Sequence, residues 1–293
     1  MRRRGTPLFS TLVALAALLL APEGRTEPRP SKLVIGLLPG ESAPTVMRLN
    51  EPLRAALEKR LGIPVELVVG ASYAATGEAL RFGRLDVAYL GPVTYILQSQ
   101  RAKLQPFARP THPGVGPTFQ AVIIVPADSP AEKLADLKGK EIGFGDPAST
   151  SGTWVPRYQL LDAGLVAERD YTPRVLGAHD AVALAVAGHK VAAGGLSLPI
   201  CQRLLREKKL AAQGVRVLAE SPPIPEYMWT FRGGLPVEFR EEVRRAFVAV
   251  DDAAALGVFR AEAFIPAVDS DVEPVRRWLE ALQRAEREPG ARK

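Results

Sequence analysis

The chain has one cysteine, Cys201, and three histidines among its 293 residues, and these shortages exclude several classes at once. A single cysteine allows no internal disulfide, and none stands near the start to carry a lipid. A small buried apolar residue is the plain reading of Cys201. His112, His179 and His189 are not arranged as a metal site, and His112 and His189 read as surface residues. Neither a Gly-x-Ser-x-Gly elbow nor a phosphate-cradling Gly-x-x-x-x-Gly-Lys-Ser/Thr loop occurs. A Ser–His–Asp set could be assembled on paper from Ser149, His179 and Asp180, but such triads are recognised by geometry and not by inventory. The expectation is a protein that is not an enzyme and holds no cofactor or metal. Surplus charge is scarce as well. The net charge is +6, and without residues 1–26, which hold four arginines and one glutamate, 34 basic residues face 31 acidic ones. No cluster of Lys and Arg is interleaved with aromatics, so nothing points to nucleic acid.

What is present begins with a leader. Arg2, Arg3 and Arg4 precede a mostly Leu, Ala and Val run over residues 8–21. A short basic stretch before roughly 7–15 apolar residues is the layout of a secretory signal peptide, and the run is short for a membrane span. Residues 1–26 are therefore expected to be a signal peptide, with an uncleaved anchor as the alternative. Beyond it the chain alternates short β-rich runs with helical patterns. KLVIGLL (32–38) precedes a segment in which Val46, Leu49, Leu53, Leu57 and Leu61 recur at helical spacing until Gly62 stops it. A second series starts at AVIIV (121–125). After YMWTFRGGLP (227–236) the chain reads as helical to its end. This alternation predicts parallel α/β sheets with helices on both faces. Two such series without a floppy linker predict two lobes and a cleft.

One polar stretch stands out, GDPASTSGTWVP (145–156). It follows the predicted strand EIGFG, and a helix containing Trp154 and Tyr158 should begin just after Gly152. Ligands of open α/β sheets sit beyond the carboxyl ends of the strands. Ser149, Thr150 and Ser151 would then lie at a helix N-terminus, where free backbone N–H groups and the dipole favour an anion. A single Ser or Thr there can be a simple cap; three in a row followed by glycine exceed that need.

GDPASTSGTWVP closely resembles the Asp-Pro-x-Ser-Thr-Ser-Gly signature of the periplasmic solute-binding proteins for phosphonate, phosphite and phosphate. The likeness extends through YAATGEALRFGRLDVAYLGPVTY (73–95), GAHDAVALAVAGHKVAAGG (177–195) and SPPIPEYMWTFRGGLP (221–236), nearly the whole chain after the leader. It implies a type II periplasmic-binding-protein fold, an α/β chain whose two lobes close on an oxyanion across a hinged interlobe cleft. Residues 32–118 and 229–287 would form the first lobe and 119–228 the second, with crossings near Thr118 and the SPPIP segment. The implied protein is a periplasmic monomer that delivers its ligand to the permease of an ABC importer; reporting to a membrane sensor kinase is the alternative. By the same resemblance Ser149, Thr150 and Ser151 match the phosphoryl-binding loop. Tyr95 and Tyr73 match two tyrosines that donate to the phosphoryl oxygens, and His179 a histidine reaching in from the second lobe. Either tyrosine could equally be an ordinary half-buried aromatic, and His179 only a neighbour of a helix cap. In aminoalkylphosphonate binders an acid beyond the second lobe's V-x-A strand pairs with the ligand's amine. Here Ser197 holds the aligned place, and residues 191–199 contain no carboxylate, unless an acid such as Asp180 reaches in. A small oxyanion without an amine is expected.

Overall fold

A computed structural model describes residues 27–210 and 214–287; the predicted signal peptide lies outside them. The first series gives β1 (Leu33–Leu37), α1 (Ala43–Leu61), β2 (Val65–Val69), α2 (Tyr73–Arg81), β3 (Val87–Leu90), α3 (Pro92–Ser99) and β4 (Gln105–Thr111). The apolar spacing in α1 puts Leu53, Leu57 and Leu61 into the core, and Gly62 ends the helix in the left-handed region at φ 64°. The chain then crosses by β5 (Thr118–Phe119) into β6 (Ala121–Pro126), β7 (Glu141–Gly145), α4 (Val155–Asp162), β8 (Thr172–Gly177), α5 (His179–Ala187), β9 (Ala193–Ser197), α6 (Leu198–Arg206) and β10 (Val215–Glu220). It returns by β11 (Ile224–Pro225) to β12 (Met228–Phe231), α7 (Val237–Val248), α8 (Ala253–Gly257), β13 (Ala263–Pro266) and α9 (Glu273–Arg287).

Two main sheets result. One has the order β13-β4-β12-β3-β1-β2 and the other β10-β6-β9-β7-β8, and β5 pairs with β11 in a two-stranded ribbon between them. That ribbon joins Phe119 to Ile224 and Thr118 to Pro225, so the two crossings run side by side as a hinge. The central strands of each sheet are buried on both faces, which is why β6 is apolar at every position, whereas the edge strands β8 and β10 are partly exposed. Around the first sheet, Phe107 stacks on Phe231 with centroids 3.9 Å apart, and Trp229 meets Phe247, Phe259 and Phe264. Buried aromatics of this size dominate core energetics.

The sheets are mixed, not parallel throughout as the alternation predicts. β6 is antiparallel to β9 and β10, and β12 is antiparallel to β3 and β4. The reason is the crossing. β1, β3, β7 and β9 end at the cleft, whereas β6 and β12 start there, from the hinge, and must run the opposite way. The segment after residue 236 is also not helical throughout, because β13 closes the edge of the first sheet against β4.

Candidate functional site

The cleft is built from strand ends and helix starts, where backbone amides remain to be satisfied. On the first lobe, Ser72 caps α2 by accepting from the Ala75 amide at 3.0 Å, and Gly91 opens α3. On the second lobe, β7 ends at Gly145 and residues 150–154 form a π-helical turn before α4. Such turns recur at functional sites because they re-aim side chains.

Each hydroxyl of the Ser149–Thr150–Ser151 run has a different fate. Ser149 is the cap, its Oγ accepting from the Gly152 amide at 3.0 Å. Thr150 Oγ1 accepts from the Val93 amide of the opposite lobe at 3.0 Å. Ser151 is fully buried, and its Oγ makes no hydrogen bond of acceptable geometry among the described residues. The preceding Asp146 is buried and also works across the cleft. Its carboxylate accepts from the Tyr73 amide at 2.9 Å and from the Ala148 amide at 2.8 Å. Further bonds draw the lobes together: Thr94 Oγ1 donates to the Ala148 carbonyl at 3.0 Å, the His179 amide donates to the Gly40 carbonyl at 2.9 Å, and Arg203 pairs with Glu41. Away from the cleft centre, Tyr158 stacks on Trp278 and Arg157 pairs with Glu286. The structure is a closed form.

Tyr73, Tyr227 and His179 join the serine loop. Burial pushes the Tyr73 phenol well above its ordinary range; the neighbouring Tyr227 adds to this and a hydrogen bond with Ser149 opposes it. Burial raises Tyr227 to about 12, the Glu226 charge adds to it, and hydrogen-bonding contacts with the Ser151, Tyr73 and Ser149 hydroxyls pull the other way. Both tyrosines are neutral donors at any physiological pH. Burial drives His179 down to about 4, and its Nδ1 accepts from the Ser197 amide at 3.3 Å. Nε2 then carries the proton of a neutral imidazole. Two glycines make this crowding possible. A Cβ on Gly91 would stand 2.8 Å from the Tyr227 ring, and one on Gly152 2.9 Å from both His179 Cε1 and Ser149 Oγ. The result is a set of uncharged donors from both lobes, a lining suited to an oxyanion and poor for a cation.

A cavity of about 490 Å³ adjoins this cluster, and Tyr73, Tyr227, His179 and Ser197 form its buried end. Of the six residues predicted from the sequence, Ser149, Thr150, Ser151, Tyr73 and His179 are brought together and Tyr95 is not. Tyr95 lies on the far side of α3, where its hydroxyl donates to Asp269 at 2.7 Å. Sequence reasoning missed Tyr227, although it stands in the quoted 221–236 segment. It also missed Glu226 and Glu41, two carboxylates that line the cavity; Asp180 does not line it and accepts from the Ala181 amide instead. His112 is corrected from a surface residue to a buried one. Its Nε2 lies 3.0 Å from Glu226, which also accepts from Tyr89 at 3.4 Å. His189 is exposed, paired with Asp128.

Residues 35–272 match the family model described as the periplasmic substrate-binding protein of phosphonate ABC transporters. The chain is 28% identical to the phosphonates-binding periplasmic protein of Escherichia coli, over 82% of this chain and 72% of that one. It is 27% identical to the phosphate-import protein PhnD of Mycolicibacterium smegmatis, over 94% and 96%. Among solved structures, a binding-protein component of an ABC phosphonate transporter from Pseudomonas aeruginosa superposes with a TM-score of 0.82 at 24% identity, covering 89% of each chain. PhnD1 of Prochlorococcus marinus in complex with methylphosphonate gives 0.78 at 20% identity, covering 87% of this chain and 99% of that one. These likenesses extend over both sheets and the hinge ribbon, and with the family match they place this chain among the periplasmic substrate-binding proteins of phosphonate ABC transporters.

Proposed function

We propose that this protein captures a phosphorus oxyanion, a phosphonate, phosphite or phosphate, between its lobes and passes it to an ABC permease in the inner membrane. The observation that carries the reading is the convergence of uncharged donors from opposite lobes: Ser149, Thr150, Ser151 and His179 on one side, Tyr73 on the other, with Tyr227 at the hinge. Hydrogen bonds to a charged acceptor are each worth about 1.5–3 kcal/mol, roughly twice a neutral pair. An oxyanion in their midst therefore favours the closed form over the open one. Residues 32–118 with 229–287 and residues 119–228 act as the two rigid halves of this motion, and residues 1–26 serve as the export leader. The relatives named as import components favour delivery to a permease over reporting to a sensor kinase.

The ligand class is one without an amine. Ser197 at the end of β9 offers no charge, and both carboxylates of the cavity are engaged, Glu41 by Arg203 and Glu226 by His112 and Tyr89. The test is titration calorimetry of the mature protein with methylphosphonate, phosphite and phosphate, with small-angle scattering on the same samples. Saturable binding of at least one, abolished or strongly weakened in a Ser149→Ala/Thr150→Ala double variant that still folds, is the expected result. Absence of binding by all three would refute the reading.

A further inference from the structure

The cavity that starts at Tyr73, Tyr227 and His179 is larger than a bare phosphorus oxyanion needs. A water occupies about 30 Å³ in the liquid, and about 490 Å³ lies in the range that holds a ligand with a substantial substituent. Its far end is the exposed one, and there the lining changes character. Four arginines, Arg48, Arg203, Arg206 and Arg260, line the cavity against two glutamates, Glu41 and Glu226. Arg203 is taken up by Glu41 and Glu207, and Glu226 by His112 and Tyr89. Arg206 and Arg260 form no ion pair or hydrogen bond through their side chains among the described residues, and they come from opposite lobes.

The placement of Arg260 is specific. Its backbone sits at φ 55°, in the left-handed region that non-glycine residues disfavour, and its carbonyl is 3.2 Å from His112 Nδ1. Burial weakens its hold on its proton, the Glu226 charge works against that, and the like charge of Arg206, on the same cavity, adds a smaller repulsion. Closure thus sets on one cavity two guanidinium groups that have no hydrogen-bonded partner among the described residues, while the nearby Glu226 is already engaged by His112 and Tyr89. An anionic group between them would give both guanidinium groups a partner, and their planar forks suit carboxylate or phosphoryl oxygens.

We propose that the preferred ligand carries a second anionic group, a carboxylate or a second phosphoryl, held between Arg206 and Arg260 while its first phosphoryl group occupies the buried hydroxyl cluster. This rests on the phosphorus-oxyanion reading above and extends it to the substituent.

The test compares methylphosphonate with 3-phosphonopropionate and ethane-1,2-diphosphonate by calorimetry on the mature protein, at low and high salt. At least one of the doubly anionic compounds should bind about tenfold or more tighter than methylphosphonate, the excess shrinking as salt rises. The carboxylate and diphosphonate arms tell which anion is meant. In an Arg206→Ala/Arg260→Ala double variant the ratio of the two affinities should fall to about one. An Arg206→Lys/Arg260→Lys variant, which keeps the charges and loses the forks, should retain part of it. Methylphosphonate binding as tightly as both doubly anionic compounds would overturn this inference and leave the oxyanion reading standing, as would a ratio that survives loss of both arginines. Failure of all three compounds to bind would overturn both.

Discussion

Replacing Ser151 by alanine should strengthen the ligand-free fold and weaken ligand binding, two effects of opposite sign from one hydroxyl. Ser151 has no exposed surface, and its Oγ has only the neighbouring Tyr227 hydroxyl as a partner, in poor hydrogen-bond geometry. Leaving a buried hydroxyl unpaired costs about 1–3 kcal/mol, so its removal should return on the order of 1 kcal/mol after the small cavity is discounted. For a chain of this size that is a rise in Tm of about 2–4 °C. The same hydroxyl, aimed at a charged acceptor, is worth about 1.5–3 kcal/mol, and its loss should raise the Kd for methylphosphonate by roughly 10–150-fold. Ser149→Ala supplies the contrast. That residue caps the π turn through the Gly152 amide, so its loss should cost stability by about 1 kcal/mol as well as affinity. Thermal unfolding of the ligand-free protein and calorimetry with ligand separate the two. A Ser151→Ala variant with a lowered Tm and an unaltered Kd would show that the hydroxyl serves the fold, and the reasoning would fail.

Three further outcomes follow from the same geometry. His179 is held at about 4 against an ordinary 6.5, so the unfolded chain binds the extra proton between those values; stability is fullest above pH 6.5 and falls by about 3 kcal/mol as the pH drops to 4. Urea unfolding should show a steeper loss in the parent than in His179→Gln over that window, and equal slopes would refute the assignment. Gly91→Ala puts a methyl 2.8 Å from the Tyr227 ring; it should lower affinity by about tenfold or more and reduce ligand-induced compaction in scattering, while unchanged binding would mean that Tyr227 is free to move aside. With Glu41 and Glu226 already engaged, 2-aminoethylphosphonate should bind more weakly than methylphosphonate, because its ammonium loses several kcal/mol of hydration without repayment; tighter binding of the amine would sink that inference.

The legible part of this molecule was local and the illegible part was long-range. The serine run could be placed at a helix start because EIGFG and the apolar pattern after Gly152 bracket it within a dozen residues. Gly62 marked a helix end for the same reason. Tyr95 is the instructive failure: a tyrosine in the first turn of a cleft-facing helix can point either way, and only the position of Asp269, 174 residues on, turns it outward. His112 could not be distinguished from a surface histidine, because its burial depends on Glu226. Tyr227 hid in a segment read as a crossing. The antiparallel strands were missed because β12 and β13 are four residues each, too short for a period to show, and because strand direction is set by the hinge, which composition does not reveal.

The two ends of the cavity solve different physical problems. An arginine placed against the phosphoryl group would stay buried and unpaired whenever the cleft closed without ligand, at a cost of several kcal/mol. Hydroxyls and amides avoid that cost because they can satisfy one another. Asp146 takes the Tyr73 amide, Thr150 takes the Val93 amide, and Thr94 reaches the Ala148 carbonyl. Arg206 and Arg260 stay at the exposed end, where water screens them until something anionic lies between. An empty cleft can therefore close and reopen over a shallow free-energy difference, and the bias toward the loaded form must come from groups that closure alone leaves dissatisfied. In the proposed site the candidate among the described residues of the signature is Ser151, buried on all sides with only the Tyr227 hydroxyl beside it in poor geometry, and an oxyanion accepting from that hydroxyl would set closed-with-ligand below closed-without.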